Sequence, residues 1–295
     1  MKNWLDKLEW LEQEKTPINP RINNLGPVKA ILWDIYGTLM ISASGDIDKA
    51  RFSREVILES LRDCEVSIPS QSEQTVAEEI MALFPVQVKE FHQKEKAGGN
   101  PYPEVDIIDI WQKTLQPFIN KKIFTLPEKP DFRTLAFRFE LGFNRLGPML
   151  GLKKNLESLS RKIPMGIISN AQFYTPIILN YLLSGECINS ATIKYFQPDL
   201  CIYSYQYGKA KPGLFLYEKA KEVLGQRGIS AAETLYVGND MLNDIWPARQ
   251  VGFKTILYAG DKRSLRLRED RPDIKDLKPD GIITEVGQIA EFFKD

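Results

Sequence analysis

One segment constrains the fold more than any other: Ala30-Ile31-Leu32-Trp33-Asp34-Ile35-Tyr36-Gly37-Thr38-Leu39. Its first four residues are apolar without alternation, which reads as a short strand buried in a parallel sheet. The run delivers a single acid, Asp34, to a Gly-Thr turn. That turn lies at the carboxyl end of the strand, where open α/β sheets bind ligands. An aspartate held there can attack an electrophile or hold a metal.

After an interruption the chain continues in the same rhythm. Short apolar runs at Met165–Ile168, Leu200–Tyr203, Thr234–Val237, Thr255–Tyr258 and Gly281–Ile283 read as strands. Helical spacing appears at about 152–161, around Ile177, Ile178 and Leu182, and over Phe215–Leu224. The alternation predicts an α/β fold with a Rossmann-like, doubly wound parallel sheet. Between the first two strands lie about 100 residues of helical pattern, at Ile47–Leu58, Thr75–Phe84, Val105–Leu115 and Pro130–Phe143. Linkers at Ser67–Ser70, Gly98–Pro101 and Leu126–Pro130 punctuate them. This is too long for a simple crossover. The expected division is a core from residues 1–45 and 147–295, with a helical cap domain, residues 46–146, inserted after the first strand. Trp4, Leu5, Leu8 and Leu11 share one helical face and predict a helix over 3–14 that packs on the body or binds a partner.

Composition narrows the partners. Lys plus Arg and Asp plus Glu balance at 39 each, which argues against a broad nucleic-acid or acidic-membrane surface. No apolar run approaches the roughly 20 residues that span a bilayer, and the N-terminus lacks a signal-peptide pattern. A cytoplasmic protein acting on a small molecule is expected. Cys64, Cys187 and Cys201 are widely spaced with no CxxC pair, as reduced structural thiols are. The one histidine, His92, sits in a polar stretch and reads as a solvated helix residue. That argues against a hydrolase built on a Ser-His or Cys-His pair.

Four predicted strand ends carry polar groups: Asp34, Ser169, Lys211, and Asp240 with Asp244. Parallel strand ends lie side by side, so these groups can converge on one crevice. A carboxylate attacking an anionic centre needs charge relief. A lysine and a carboxylate-held magnesium ion would supply it.

The order and context of these groups resemble the haloacid dehalogenase superfamily of hydrolases, which includes many phosphatases. The resemblance rests on Trp33-Asp34-Ile35-Tyr36-Gly37-Thr38-Leu39, Ile167-Ile168-Ser169-Asn170-Ala171, Gly208-Lys209-Ala210-Lys211-Pro212-Gly213-Leu214-Phe215 and Tyr236-Val237-Gly238-Asn239-Asp240-Met241-Leu242-Asn243-Asp244. It covers the first strand and everything from about residue 150. In that family the insertion after the first strand is a helical cap that closes over the site. The resemblance implies that Asp34 is the nucleophile. It implies a magnesium ion held by Asp34, the backbone carbonyl of Tyr36, Asp240 and Asp244. Ser169 would bind the transferred group, Lys211 would pair with Asp34 and the anion, and Thr38 and Asn170 would contact substrate. Lys209 shares the third motif, but the Lys-Pro pairing favours Lys211. Plain structural readings stand beside these: Ser169 as a helix N-cap and Asp244 as a solvated helix acid.

Tyr36 departs from the phosphatase pattern. In family phosphatases the residue two after the nucleophile is usually an aspartate that protonates the leaving alcohol and later activates water. Such help is worth about 10²–10⁴ in rate. The family's 2-haloacid dehalogenases also read Asp-x-Tyr-Gly-Thr, and a departing halide needs no proton. Those dehalogenases work without metal, lack the acidic pair of the fourth motif and use a cap arginine for the halide. Arg51, Arg54 and Arg62 lie in the cap region, and none matches that role from sequence. The acidic pair makes a magnesium-dependent phosphatase of a small, anionic phosphate ester the leading expectation. A metal-independent dehalogenase is the alternative, and a phosphometabolite-binding protein on a disabled site the third. Tyr102–Asp106 either projects polar groups into the pocket or starts a helix, and Gln172, Phe173 and Tyr174 either line its entrance or do the same.

Overall fold

The computed structural model describes residues 1–43, 53–188 and 193–293. After a short α1 (Lys2–Leu5), β1 (Ala30–Trp33) leads through the Asp34 turn into β2 (Met40–Ser42). The chain then enters four helices: α2 (Arg54–Asp63), α3 (Glu73–Ala97), α4 (Ile107–Asn120) and α5 (Phe132–Phe143). It returns through β3 (Leu146–Pro148), which pairs antiparallel with β2. The outgoing and returning strands therefore lie side by side. Next come α6 (Leu152–Ser160), β4 (Met165–Ser169), α7 (Tyr174–Ser184), β5 (Cys201–Tyr203), α8 (Phe215–Gln226) and β6 (Thr234–Gly238). Helix α9 (Trp246–Gln250), β7 (Lys254–Tyr258) and β8 (Gly281–Ile283) complete the set.

Six strands form one parallel sheet in the order β5-β4-β1-β6-β7-β8. β1 is central, and all four of its residues are buried. Successive strand residues face opposite sides. Ile31 and Trp33 accordingly join a core with Leu156 of α6 and Ile177 of α7. Ala30 and Leu32 join a second core with Leu216 and Ala220 of α8 and Ala248 of α9. A sheet sandwiched by helices on both faces is the doubly wound architecture expected from the strand–helix alternation.

The four inserted helices have their own apolar contacts, continuous with the first core. Phe84 of α3, Trp111 of α4 and Phe139 of α5 meet with ring centroids 4.9 and 4.8 Å apart. Asp106 and Asp131 cap α4 and α5 by accepting from the backbone N–H groups of Ile108 and Thr134, at 2.9 Å in each case. Such caps replace hydrogen bonds that a helix start cannot make internally. The predicted helix at Ile47–Leu58 falls partly outside the described residues. Its described part begins after Ser53, the N-cap of α2.

Two features differ from the sequence expectation. The helix predicted over 3–14 is only four residues long. Beyond it, cross-chain bonds take the backbone: Leu11 N–H donates to Leu146 O at 2.7 Å, and Arg21 bridges Ile282. Leu8 and Leu11 still pack against the core, from a non-helical strip. The β2–β3 ribbon was also unforeseen, because three-residue strands carry too little pattern to read. Among the described residues no helix is long and apolar enough to cross a membrane.

Candidate active site

The turn after β1 is built by one carbonyl. Ile35 O accepts from the backbone N–H groups of Thr38, Leu39 and Met40. Gly37 takes φ +86° there, and a Cβ on it would lie 2.3 Å from Nδ2 of Asn239. Only glycine combines that backbone conformation with so close an approach. The first motif is thereby seated directly on the fourth. Thr38 completes the joint, donating from Oγ1 to Asn239 Oδ1 at 3.1 Å.

Asp34 projects from the end of β1 and is nearly buried. Its Oδ1 accepts from Ser169 Oγ at 2.9 Å and from Lys211 Nζ at 2.6 Å. Lys211 Nζ also donates to Asp244 Oδ1 at 2.6 Å. The ammonium thus bridges two buried carboxylates. Burial works against that charge, but Asp244 and Asp34 outweigh it and hold the Lys211 pKa above the ordinary lysine value. Asn170 fixes the lysine's backbone. Its Oδ1 accepts from Lys211 N–H at 2.7 Å, and its Nδ2 donates to Lys211 O at 3.2 Å. Lys209 lies instead over the Phe215 ring, 4.1 Å from its centroid.

Asp244 is bound at both oxygens. Oδ1 faces Lys211 and lies 3.0 Å from the Tyr236 hydroxyl. Oδ2 accepts from the backbone N–H groups of Asn239 and Asp240, at 3.0 and 2.9 Å. Gly238 leaves room for this, since a Cβ there would lie 2.4 Å from the Asp244 side chain. Asp240 is also engaged at both oxygens. It caps the π-helical turn Met241–Ile245 through the N–H groups of Leu242 and Asn243. Its other partners are Asn243 Nδ2 and the guanidinium of Arg268.

These contacts decide how well the expected magnesium ligands fit a cation. Magnesium takes near-octahedral oxygen donors with free lone pairs, including one or two carboxylates. Asp240 and Asp244 have committed both oxygens to protein donors, which leaves Asp34 as the one acid with an uncommitted oxygen. Among the described residues no three His, Cys, Asp or Glu side chains gather into a metal-holding group. The side-chain donors do not fit magnesium in the way the resemblance implied.

A cavity of about 960 Å³ opens over Asp34. Its floor includes Tyr36, Asn170, Lys211, Asn239, Asp240 and Asp244. One face of α3 forms a wall, with Phe84, Pro85, Val88, Lys89, His92, Gln93 and Lys96. His92, read from sequence as solvated, is half-buried and lines this wall. Thr38 and Ser169 are fully buried and lie outside the lining, against Asn239 and Asp34. Arg54 and Arg62 are taken up by exposed ion pairs with Glu78 and Glu73, and Arg51 lies outside the described residues.

The Tyr36 hydroxyl shares a 3.0 Å hydrogen bond with Thr175 Oγ1. Burial, then the nearby Glu140, push its pKa well above the usual tyrosine value. Two cavity carboxyls, both outside the four motifs, hold protons unusually well. Burial raises Glu140. Glu104 is pushed up to about 7 by burial, against hydrogen bonds from Ser204, the Val105 N–H and Gln172. Glu104 also fastens the insertion to the core. Its N–H donates to Gly208 O at 3.1 Å, and Gln172 Nε2 and Ser204 Oγ donate to its carboxyl at 3.0 and 2.7 Å.

A carboxyl whose folded pKa is raised binds more protons folded than unfolded. Its contribution is complete below the unfolded value near 4.5 and is lost as pH rises through about 7. In urea melts between pH 4.5 and 7.5, Glu104 should give wild type a decline of about 3 kcal/mol, and Glu104→Gln should lose that part of the pH dependence.

Solved structures resemble this chain to differing degrees. The solved structure of 2-haloacid dehalogenase from Pseudomonas syringae pv. tomato DC3000 superposes with a TM-score of 0.55 at 17% identity, covering 90% of this chain and 98% of that one. L-2-haloacid dehalogenase from Xanthobacter autotrophicus gives 0.47 at 20% identity, with 90% and 98% coverage. A HAD phosphatase from Thermococcus onnurineus gives 0.48 at 18%, also covering 90% and 98%. At 17% identity the likeness to the first concerns the fold alone. Comparison with curated proteins finds no match. The model of the haloacid dehalogenase-like hydrolases matches residues 28–252. That span runs from before β1 to past the fourth motif, and the chain belongs to the haloacid dehalogenase-like hydrolase family.

Proposed function

We propose that this chain hydrolyses a small anionic substrate through Asp34, and that it favours a leaving group which departs without a proton, as a halide does. The observation that carries this is Tyr36. Its hydroxyl is bonded to Thr175 and resists ionisation, so the position that would hold a proton-transferring acid holds neither an acid nor a base for neutral pH.

Asp34 attacks the carbon bearing the leaving group. An oxygen–carbon bond forms to its carboxylate, the carbon–halogen bond breaks, and the halide leaves with the electron pair. Lys211 and Ser169 hold the attacking carboxylate in place. Water then cleaves the resulting ester. The net products are a hydroxy acid, a halide ion and a proton, and Asp34 is regenerated. No step passes through a metal.

One observation favours a second reading, hydrolysis of a phosphate ester. Glu104 keeps its proton up to about pH 7 and lines the same cavity, so it is a candidate donor to a leaving alcohol.

Turnover assays separate the two. Purified protein with chelator should release chloride from 2-chloropropionate or a longer 2-chloro acid. Any phosphatase activity should favour p-nitrophenyl phosphate over alkyl phosphates by about 10²–10⁴, because nitrophenolate needs no proton. Alkyl phosphates turned over as fast as the nitrophenyl ester, with no chloride release, would establish the second reading instead.

A further inference from the structure

The fourth motif is crossed by a loop that the proposed chemistry does not use. Arg266 N–H donates to Asn239 O at 3.0 Å, and Met241 N–H donates to Arg266 O at 2.9 Å. Asn239 Nδ2 donates to Ser264 O at 2.6 Å. This strap ends at Arg268, which holds the left-handed conformation with φ +56°. Its planar fork meets the Asp240 carboxylate at two points: Nε to Oδ1 at 3.1 Å and Nη2 to Oδ2 at 2.6 Å. The Asp240 side chain is 9% exposed and that of Arg268 26%. Two-point arginine–carboxylate pairs are strong and directional, and this one is largely withdrawn from water.

We infer that Arg268 is a built-in counter-cation that closes the fourth motif to divalent metal. The same carboxylate that takes the guanidinium also caps the turn carrying Asp244. Arg268 thereby acts through Asp240 as a positioning residue. It holds the turn from which Asp244 reaches Lys211, while a metal approaching Asp240 meets oxygens already shared with a fixed positive charge. A cation seated there would have to break both arms of the fork.

The test is a manganese titration followed by electron paramagnetic resonance on the full chain. Manganese reports on oxygen sites that magnesium would use. The titration needs no turnover, so its outcome is separate from that of the proposed activity. Wild type should leave manganese free at millimolar concentration. Arg268→Ala should gain one bound ion per chain, with affinity raised by about tenfold or more, as expected when a strong charged pair is removed. Adding Asp240→Asn should abolish the gain. Arg268→Lys keeps the charge without the fork and should gain a smaller increase. It serves as the readout if the alanine variant does not fold. Tight binding by wild type that Asp240→Asn removes would overturn the inference. So would the absence of any gain in a folded Arg268 variant.

Discussion

Asp34→Asn is expected to abolish turnover on whichever substrate the wild type accepts, by at least about a thousandfold, as removal of a covalent nucleophile does. Asparagine matches aspartate in shape, and its Oδ1 can still accept from Ser169. What disappears is the anionic oxygen that the proposed reaction requires for the bond to substrate. The fold should persist, because the β1 turn rests on Ile35 O, Gly37 and the Thr38–Asn239 bond rather than on the Asp34 carboxylate. Mass spectrometry of rapidly quenched wild type should show a covalent adduct on the peptide containing Asp34, absent in the variant. Retention of a tenth of wild-type turnover would place the nucleophile elsewhere.

Lys211→Met is expected to damage both stability and activity. The ammonium lies between Asp34 and Asp244 with 2.6 Å contacts to each. Its side chain is 4% exposed, so solvent cannot take its place. Burial already pushes the Asp244 carboxyl upward, and Lys211 is the main influence holding it down. Without the lysine, two buried carboxylates keep their neutral hydrogen-bond donors but lose the cation between them. Breaking a buried pair from one side costs about 3–5 kcal/mol, which corresponds to a fall in Tm of about 10 °C for a chain of this size. Loss of the preorganised charge beside Asp34 should cost about 10²–10³ in kcat. Thermal melts should recover as pH is lowered, when a proton replaces the missing charge. A variant with wild-type Tm and activity would mean that the bridge contributes nothing.

The central sheet was legible because its strands are short, uniformly apolar runs, as at Ala30–Trp33 and Met165–Ile168. The first, second and fourth motifs were legible because each follows directly from a strand; the third lies beyond the end of β5 and a further turn, and was legible from its Lys-Pro pair. Their finer geometry was not. Lys211 could be told from Lys209 by the proline that follows it. Asp240 and Asn239 offered no such cue. An acid reads as a metal ligand, yet it is Asn239 that sits against Gly37, and Asp240 turns to Arg268. That pairing joins positions 28 residues apart along the chain, and only the path of the loop brings them together. Tyr236 reads as a buried strand aromatic, and nothing in its neighbours announces a hydroxyl against Asp244. The polarity of the inserted helices was half legible. Tyr102–Asp106 was read as either a pocket-facing segment or a helix start, and of it Glu104 lines the cavity, whereas His92 looked like any polar helix residue until α3 was laid along the cavity.

The wall supplied by α3 also sets a length scale for the cavity. From Phe84 to Lys96 the helix advances about 18 Å at its usual rise, and its lining passes from an aromatic ring and proline at one end to lysines and a histidine further along. A two-carbon acid would touch only a fraction of that length. A molecule that fills it would have a hydrophobic stretch and a negatively charged terminus several bonds apart. Chain length and the position of the distal charge are therefore the properties along which a substrate series should be graded.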